Sequence, residues 1–225
     1  MANWYELYGR RMNSMGSNLA GAMSNTTKKI VAEKFSSHPS FTYVDIDGVR
    51  TGVRLMDGNR SHIKKLLFLP EVDISMGEYV EIGERVWLIT DFVSNEPEGI
   101  FPSAEVKLCN NSLDWIDGGE AYSYPCVIEN TIAGYQEVDS FRQGLNLPDD
   151  TIIISTKLND DTNQIKYFQR FLFDQKRAWR INIIDNLSKV SDTGGVLQML
   201  AKAVLLQQDE VDDPYIEPEG GSWWT

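Results

Sequence analysis

From Phe41 onward, apolar residues recur at every second position, and turn signals interrupt them at short intervals. Thr42-Tyr43-Val44-Asp45-Ile46 alternates, Asp47-Gly48 follows, and residues 49–55 alternate again. A period of two sends one set of side chains to one face of a strand, and Asp-Gly between two such runs signals a hairpin. Asp57-Gly58-Asn59 marks a further turn, and residues 64–69 read as a strand ended by Pro70. The clearest unit is Gly77-Glu78-Tyr79-Val80-Glu81-Ile82-Gly83-Glu84-Arg85-Val86-Trp87-Leu88-Ile89. It predicts a short strand from Tyr79, a turn at Gly83-Glu84, and a returning strand led by Trp87.

Before Phe41 the period is different. Trp4, Leu7, Tyr8, Arg11, Met12 and Met15 are spaced by threes and fours, which predicts helix over residues 3–34. Gly16 and Gly21 each weaken a helix by about 1 kcal/mol relative to Ala, so a break over residues 14–24 is expected. Asn25-Thr26-Thr27 can cap a second helical piece at 28–35, and Ser36-Ser37-His38-Pro39-Ser40 stops it, because Pro39 holds the residue before it in extended conformations.

The second half is again β in pattern. Residues 106–110, Pro125-Cys126-Val127-Ile128 and 151–155 read as strands. Residues 170–184 echo the earlier unit: an apolar strand, a polar turn, then Trp179 leading an alternating strand. The echo is compatible with a duplication and equally with the hairpins of any barrel or sandwich. Asp117-Gly118-Gly119 reads as a flexible joint, and Gly194-Gly195 as another break. Val196-Leu197-Gln198-Met199-Leu200 suits strand or helix, and residues 201–208 have a more helical composition. The expected organisation is a helical segment at 1–40, β domains of barrel or sandwich type at 41–116 and 117–208, and an acidic extended arm at 209–225.

Charge narrows the function. The chain has 225 residues and a net charge of −12. A nucleic-acid binder needs Lys and Arg to replace counterions on phosphate, so this balance argues against that class. Residues 1–34 carry five bases against two acids, whereas 209–219 hold Asp209, Glu210, Asp212, Asp213, Glu217 and Glu219 with no base. Both ends read as solvated, with a meeting of basic head and acidic arm between subunits as the alternative. No stretch is long and apolar enough for a membrane helix, and the first residues lack the basic start and apolar core of a secretory signal. Synthesis and residence in the cytosol are expected. There Cys109 and Cys126, the only cysteines, are expected as free buried thiols.

The catalytic signatures are missing. No Gly-Lys pair occurs, so there is no P-loop, and neither Gly-x-Gly-x-x-Gly nor Gly-x-Ser-x-Gly is present. His38 and His62 lie far apart and are the only histidines, which disfavours a zinc site. Asp45-Ile46-Asp47-Gly48 resembles the start of a calcium loop, but Arg50 and Met56 stand where such a loop needs glycine and glutamate. Asp160-Asp161-Thr162-Asn163 reads as a solvated loop. No base adjoins either cysteine, and no carboxylate pair stands out for hydrolysis. No cofactor, no metal and no enzymatic activity are expected.

Trp87 and Trp179 fall inside strands and are expected in cores, while Trp115 suits either core or interface. Trp223 and Trp224 close a polar arm that has no core of its own, so docking on a partner is expected of them. The candidate partner-binding residues are Trp4, Tyr5, Tyr215, Trp223 and Trp224.

The order of these motifs carries a family resemblance. It runs through Trp4-Tyr5-Glu6-Leu7-Tyr8, the Gly77-Glu78-Tyr79-Val80 and Trp87-Leu88-Ile89 hairpin, and Ala104-Glu105-Val106-Lys107-Leu108-Cys109-Asn110 with Leu113-Asp114-Trp115. It continues through Gln169-Arg170-Phe171-Leu172-Phe173 with Trp179-Arg180-Ile181, and ends at Gly194-Gly195-Val196-Leu197. Over roughly residues 3–210 the chain resembles neck, or head–tail connector, proteins of tailed phages of Gram-positive bacteria. The resemblance implies a structural virion subunit of the head-closure (stopper) or adaptor kind. Such a subunit forms a homo-oligomeric ring between portal and tail, lining or closing a channel that DNA passes without sequence-specific binding. Its partners would be portal or adaptor and tail proteins, with no membrane. Relatives often continue into an immunoglobulin-like domain, where this chain has the acidic Trp-Trp arm. The alternatives are a tail-completion or tail-associated structural protein and a carbohydrate-binding β protein of a phage tail.

Overall fold

The computed structural model describes Trp4 and residues 28–30, 32–58, 60–69, 72–93, 102–130, 150–174, 177–191 and 194–205. The fold is mainly β, with two barrel-like sheets and a small helical segment near the N-terminus. Contacts divide the chain into two compact units, Met1–Ile74 with Asp91–Val106 and Ser75–Thr90 with Lys107–Thr225. The expected joint at Asp117-Gly118-Gly119 is instead the turn of a hairpin, with both glycines at positive φ. The arm at 209–225 lies outside the described residues.

In the first unit, β1 (Phe41–Ile46) and β2 (Val49–Asp57) form the expected hairpin. Asp47 (φ 45°) and Gly48 (φ 83°) occupy its two central positions, a left-handed pair that matches the twist of the strands. Strand β3 (Ile63–Leu67) pairs with β2. The alternation read from sequence is realised as burial of Val44, Ile46, Val53 and Leu66. Residues 28–30 and 32–35 are helical, and turns follow at 36–40 as expected. Arg54 of β2 closes this helix. Its Nε and Nη2 donate to the carbonyls of Phe35 (3.1 Å) and Lys34 (2.8 Å), groups with no partner within the helix, and a cation also suits the negative end of the helix dipole. The guanidinium lies 4.7 Å from the centroid of the buried Phe35 ring, which meets Phe41 edge-on.

The second unit holds the Trp87 hairpin, β4 (Tyr79–Ile82) and β5 (Arg85–Val93), of which residues 91–93 belong to the first unit. Strand β6 (Ser103–Leu108) likewise divides at Val106. The strand order β1-β2-β3-β6-β5-β4 is that of a closed barrel. The larger sheet consists of β7 (Asn111–Asp117), β8 (Glu120–Asn130), β9 (Thr151–Lys157), β10 (Arg170–Asp174), β11 (Arg177–Asp185) and β13 (Gly194–Val204), in the order β10-β11-β13-β9-β8-β7. A two-residue strand, β12 (Val190–Ser191), pairs with the start of β13. Gly194-Gly195 therefore opens a strand, and the ambiguous run from Val196 is strand through Val204.

One face of this sheet encloses an apolar core of Leu113, Trp115, Cys126, Ile152, Ile154, Phe171, Trp179, Ile181, Leu197 and Met199 with their neighbours. Trp115 is 2% exposed and stacks on Tyr122 (5.1 Å) and Tyr124 (5.6 Å), so it belongs to the core. Strand β9 is buried from Thr151 to Thr156, which requires cover on both faces. On the other face a smaller cluster joins Leu88 to Val127 and Val196, with Met76, Tyr79 and Cys109 packed around it. Gly77 makes that approach possible. Its φ is 87°, and a Cβ there would stand 1.8 Å from the carbonyl oxygen of Gly195.

Candidate interaction surfaces

Trp4 is helical and 78% exposed. Tyr5, Tyr215, Trp223 and Trp224 lie outside the described residues.

The polar groups inside the second unit act as ties. Tyr79 Oη donates to the Pro125 carbonyl (2.7 Å), lies 2.9 Å from Thr156 Oγ1 and receives the Lys157 N–H (3.4 Å). One hydroxyl thus binds the Trp87 hairpin to both β8 and β9. Asn110 substitutes for a strand residue, since its side-chain amide donates to the Ile128 carbonyl (2.9 Å) and accepts from the Ile128 N–H (2.8 Å). The segment read as a solvated loop at Asp160–Asn163 is ordered by the buried Thr162. Thr162 and Asn159 each accept the other's N–H through a side-chain oxygen, and Thr162 Oγ1 also donates to the Lys157 carbonyl (2.7 Å). Asp161 accepts from Tyr124 Oη, which raises the pKa of that phenol.

Cys109 and Cys126 are free thiols. Burial pushes Cys109 up to about 12 and raises Cys126 as well, so both stay protonated at neutral pH and lack the nucleophilic thiolate. Among the described residues no group of three or more His, Cys, Asp or Glu is placed to hold a metal ion. No described helix is long and apolar enough to cross a membrane.

The surface of the larger sheet carries a feature that needs the strand register to see. Arg170 of β10 faces Arg180 of β11, and Arg180 faces Lys202 of β13. Residues paired across antiparallel strands project to the same side. Their chain neighbours Phe171, Trp179, Ile181 and Ala201 point into the core, so the three cations line the outer face in one row. Beside it Phe168 is 61% exposed, adopts φ 69°, and has its ring centroid 5.6 Å from the Arg180 guanidinium. Leu205, 89% exposed, follows β13, and its carbonyl accepts from Arg170 Nη2 at 2.7 Å. In sequence, Arg170, Arg180 and Lys202 are scattered cations. Only their opposed register makes a row.

The fold is that of a mainly-β protein with two barrel-like sheets. Residues 111–202 match the family model described as the YomX C-terminal domain, a family name of Bacillus phage type, which suggests a phage protein. The match begins with the first residue of β7 and ends at Lys202 in β13, so it follows the larger sheet. Comparison with curated proteins and with solved structures gives no match.

Proposed function

We propose that this chain is a structural subunit of a tailed-phage particle, belonging to the neck ring between portal and tail, and that it is not an enzyme. The observation that carries the reading is the match of the larger sheet to a phage-type family. The neck-protein resemblance of the motif order over residues 3–210 supports it. So does the use of internal polar groups as ties between strands, as at Tyr79, Asn110 and Thr162. A net charge of −12 suits a conduit, because acidic walls give phosphate no purchase. In this reading copies of the chain form a ring, portal or adaptor and tail proteins flank it, and DNA passes without sequence-specific contact. Trp4, Tyr5, Tyr215, Trp223 and Trp224 would meet the neighbouring subunits. Antibody labelling of purified particles, viewed by electron microscopy, tests the position. Label at the head–tail junction is expected. Label confined to the distal tail would favour the tail-associated or carbohydrate-binding alternative, and unlabelled particles would remove the virion role.

A further inference from the structure

In the first unit the β1–β2–β3 ladder buries Val44, Ile46, Val53 and Leu66 on its inner face. Its outer face is set by the register. Phe41 stands opposite Arg54, Tyr43 opposite Gly52 and Asp45 opposite Arg50, and the face continues with Leu67 opposite Arg54 and Lys65 opposite Met56. Residues opposed across antiparallel strands project to one side, and these alternate with the buried set. Gly52 lets two rings lie over the backbone, since a Cβ there would stand 3.1 Å from the Phe41 ring and 3.6 Å from the Tyr43 ring. The rings meet edge-on with centroids 5.1 Å apart, and the Arg50 guanidinium lies 4.8 Å from the Tyr43 centroid. Tyr43 is nevertheless 58% exposed and Met56 41% exposed. Exposed aromatics and methionine interleaved with arginine are the composition of protein-binding hot spots. We infer that this face docks, head to tail, on the acidic second unit of another copy of the chain.

Charge selects the occupant. The face carries Arg50, Arg54 and Lys65 against Asp45. The first unit as a whole has ten bases and eleven acids, whereas the second has eleven bases and twenty-two acids. The chain itself therefore makes the acidic surface that the face complements, and salt screens the remaining repulsion between copies beyond about 8 Å. The end of the β7–β8 hairpin is suitable ground. There Tyr122 donates to Glu120 (3.3 Å) and Tyr124 to Asp161. Burial raises the pKa of Tyr122, and the charges of Glu120, Asp161 and Asp117 raise it further, which gathers three carboxylates around one phenol. Arg50 would meet these carboxylates through charge-assisted hydrogen bonds, and Tyr43 would pack beside the tyrosines. Nucleic acid fits less well, because three cations with an acid among them are few to hold phosphates against a chain of −12. A contact between two different faces is heterologous, and repeated around an axis it closes a ring. The inference rests on the proposed ring, whose joint it names.

The test uses the full-length protein alone, by sedimentation velocity at low salt over a dilution series. Y43S/R50E alters the docking face and D117N/E120K alters the acidic end. Each should weaken self-association at least about tenfold relative to wild type. An equimolar mixture of the two should give a two-chain complex and nothing larger, because one intact face remains on each partner. Wild type that stays monomeric throughout, self-association indifferent to either variant, or a mixture that does not associate would overturn the inference. Circular dichroism checks that both variants are folded, and the single replacements R50Q and E120Q give the same reading should a double variant unfold. Association should also weaken as salt rises, and indifference to salt would overturn the charge complement. A single-stranded oligonucleotide bound by wild type and lost in Y43S/R50E would assign the face to nucleic acid instead. Label at the neck of particles with association indifferent to both variants would overturn this joint and leave the ring reading standing. Head-to-tail joining in a protein absent from the neck would do the reverse.

Discussion

Trp87 leads the long strand of one hairpin and Trp179 that of another, and both rings are buried, but the residues around them are treated differently. In the first hairpin Trp87, Leu88, Ile89 and Thr90 are all buried, so this strand is covered on both faces. In the second, Ala178 is buried beside Trp179, and burial follows the alternation from Trp179 onward. Trp179 and Ile181 turn inward while Arg180 turns out beside Arg170. Two stretches with the same written pattern, apolar strand, polar turn and Trp, thus serve different ends. One is fastened into the unit by Tyr79 and the close approach at Gly77. The other sets Arg170, Arg180 and Lys202 in a row on the face opposite the apolar core. The hint lies in the residues after each tryptophan. Leu88-Ile89 is an unbroken apolar run, as doubly covered strands require, whereas Arg180-Ile181-Asn182 alternates.

This contrast can be broken from the fastened side first. Gly77→Ala places a methyl group against the Gly195 carbonyl in a backbone conformation costly for alanine, and should destabilise the protein by about 3 kcal/mol in urea unfolding. A change below about 0.5 kcal/mol would mean that the hairpin is not docked there. Tyr79→Phe keeps the ring and removes the hydroxyl tie, and a loss of about 1.5 kcal/mol is expected.

Alkali probes the same region. Cys109 is neutral when protonated, and burial raises its pKa from near 9 to about 12. Its contribution to stability is complete below about 9 and disappears as pH rises from there through about 12. Burial shifts Cys126 and Tyr79 upward too, which adds to the loss with the same sign. The urea midpoint should therefore fall between pH 7 and about 10.5, and fall less in Cys109→Ala. An equal fall in both proteins would mean that the thiol is not buried as described.

Beside the second hairpin, Phe168 sits in a left-handed conformation with its ring largely exposed. Phe168→Gly should relieve that strain and stabilise the fold by about 1 kcal/mol in thermal unfolding. Destabilisation instead would show that the contact with Arg180 outweighs the strain.

Much of the architecture was legible in the sequence. Alternation located the hairpins at Asp47-Gly48 and Gly83-Glu84, and the tryptophans marked strands that enter cores. In the second half the glycines look like breaks in sequence but serve strands and their turns. Gly118 and Gly119 form a tight hairpin turn, and Gly194 and Gly195 begin a strand where backbones approach closely. The run 201–204 looked helical because local composition does not record the pairing with β11 and β9 that makes it strand. The order of the loop at Thr162 is hidden for a related reason: its hydrogen bonds join polar residues whose composition is that of a solvated loop. The basic row was hidden because register is a long-range property, so no window of sequence contains it.

The central claim is assembly, and it is tested most directly by measuring the mass of the purified protein by light scattering coupled to size exclusion, with and without the cognate portal. The account predicts a ring, or a smaller species that joins the portal as a ring, with capture weakened in Trp223→Ala/Trp224→Ala. A monomer indifferent to the portal would contradict it.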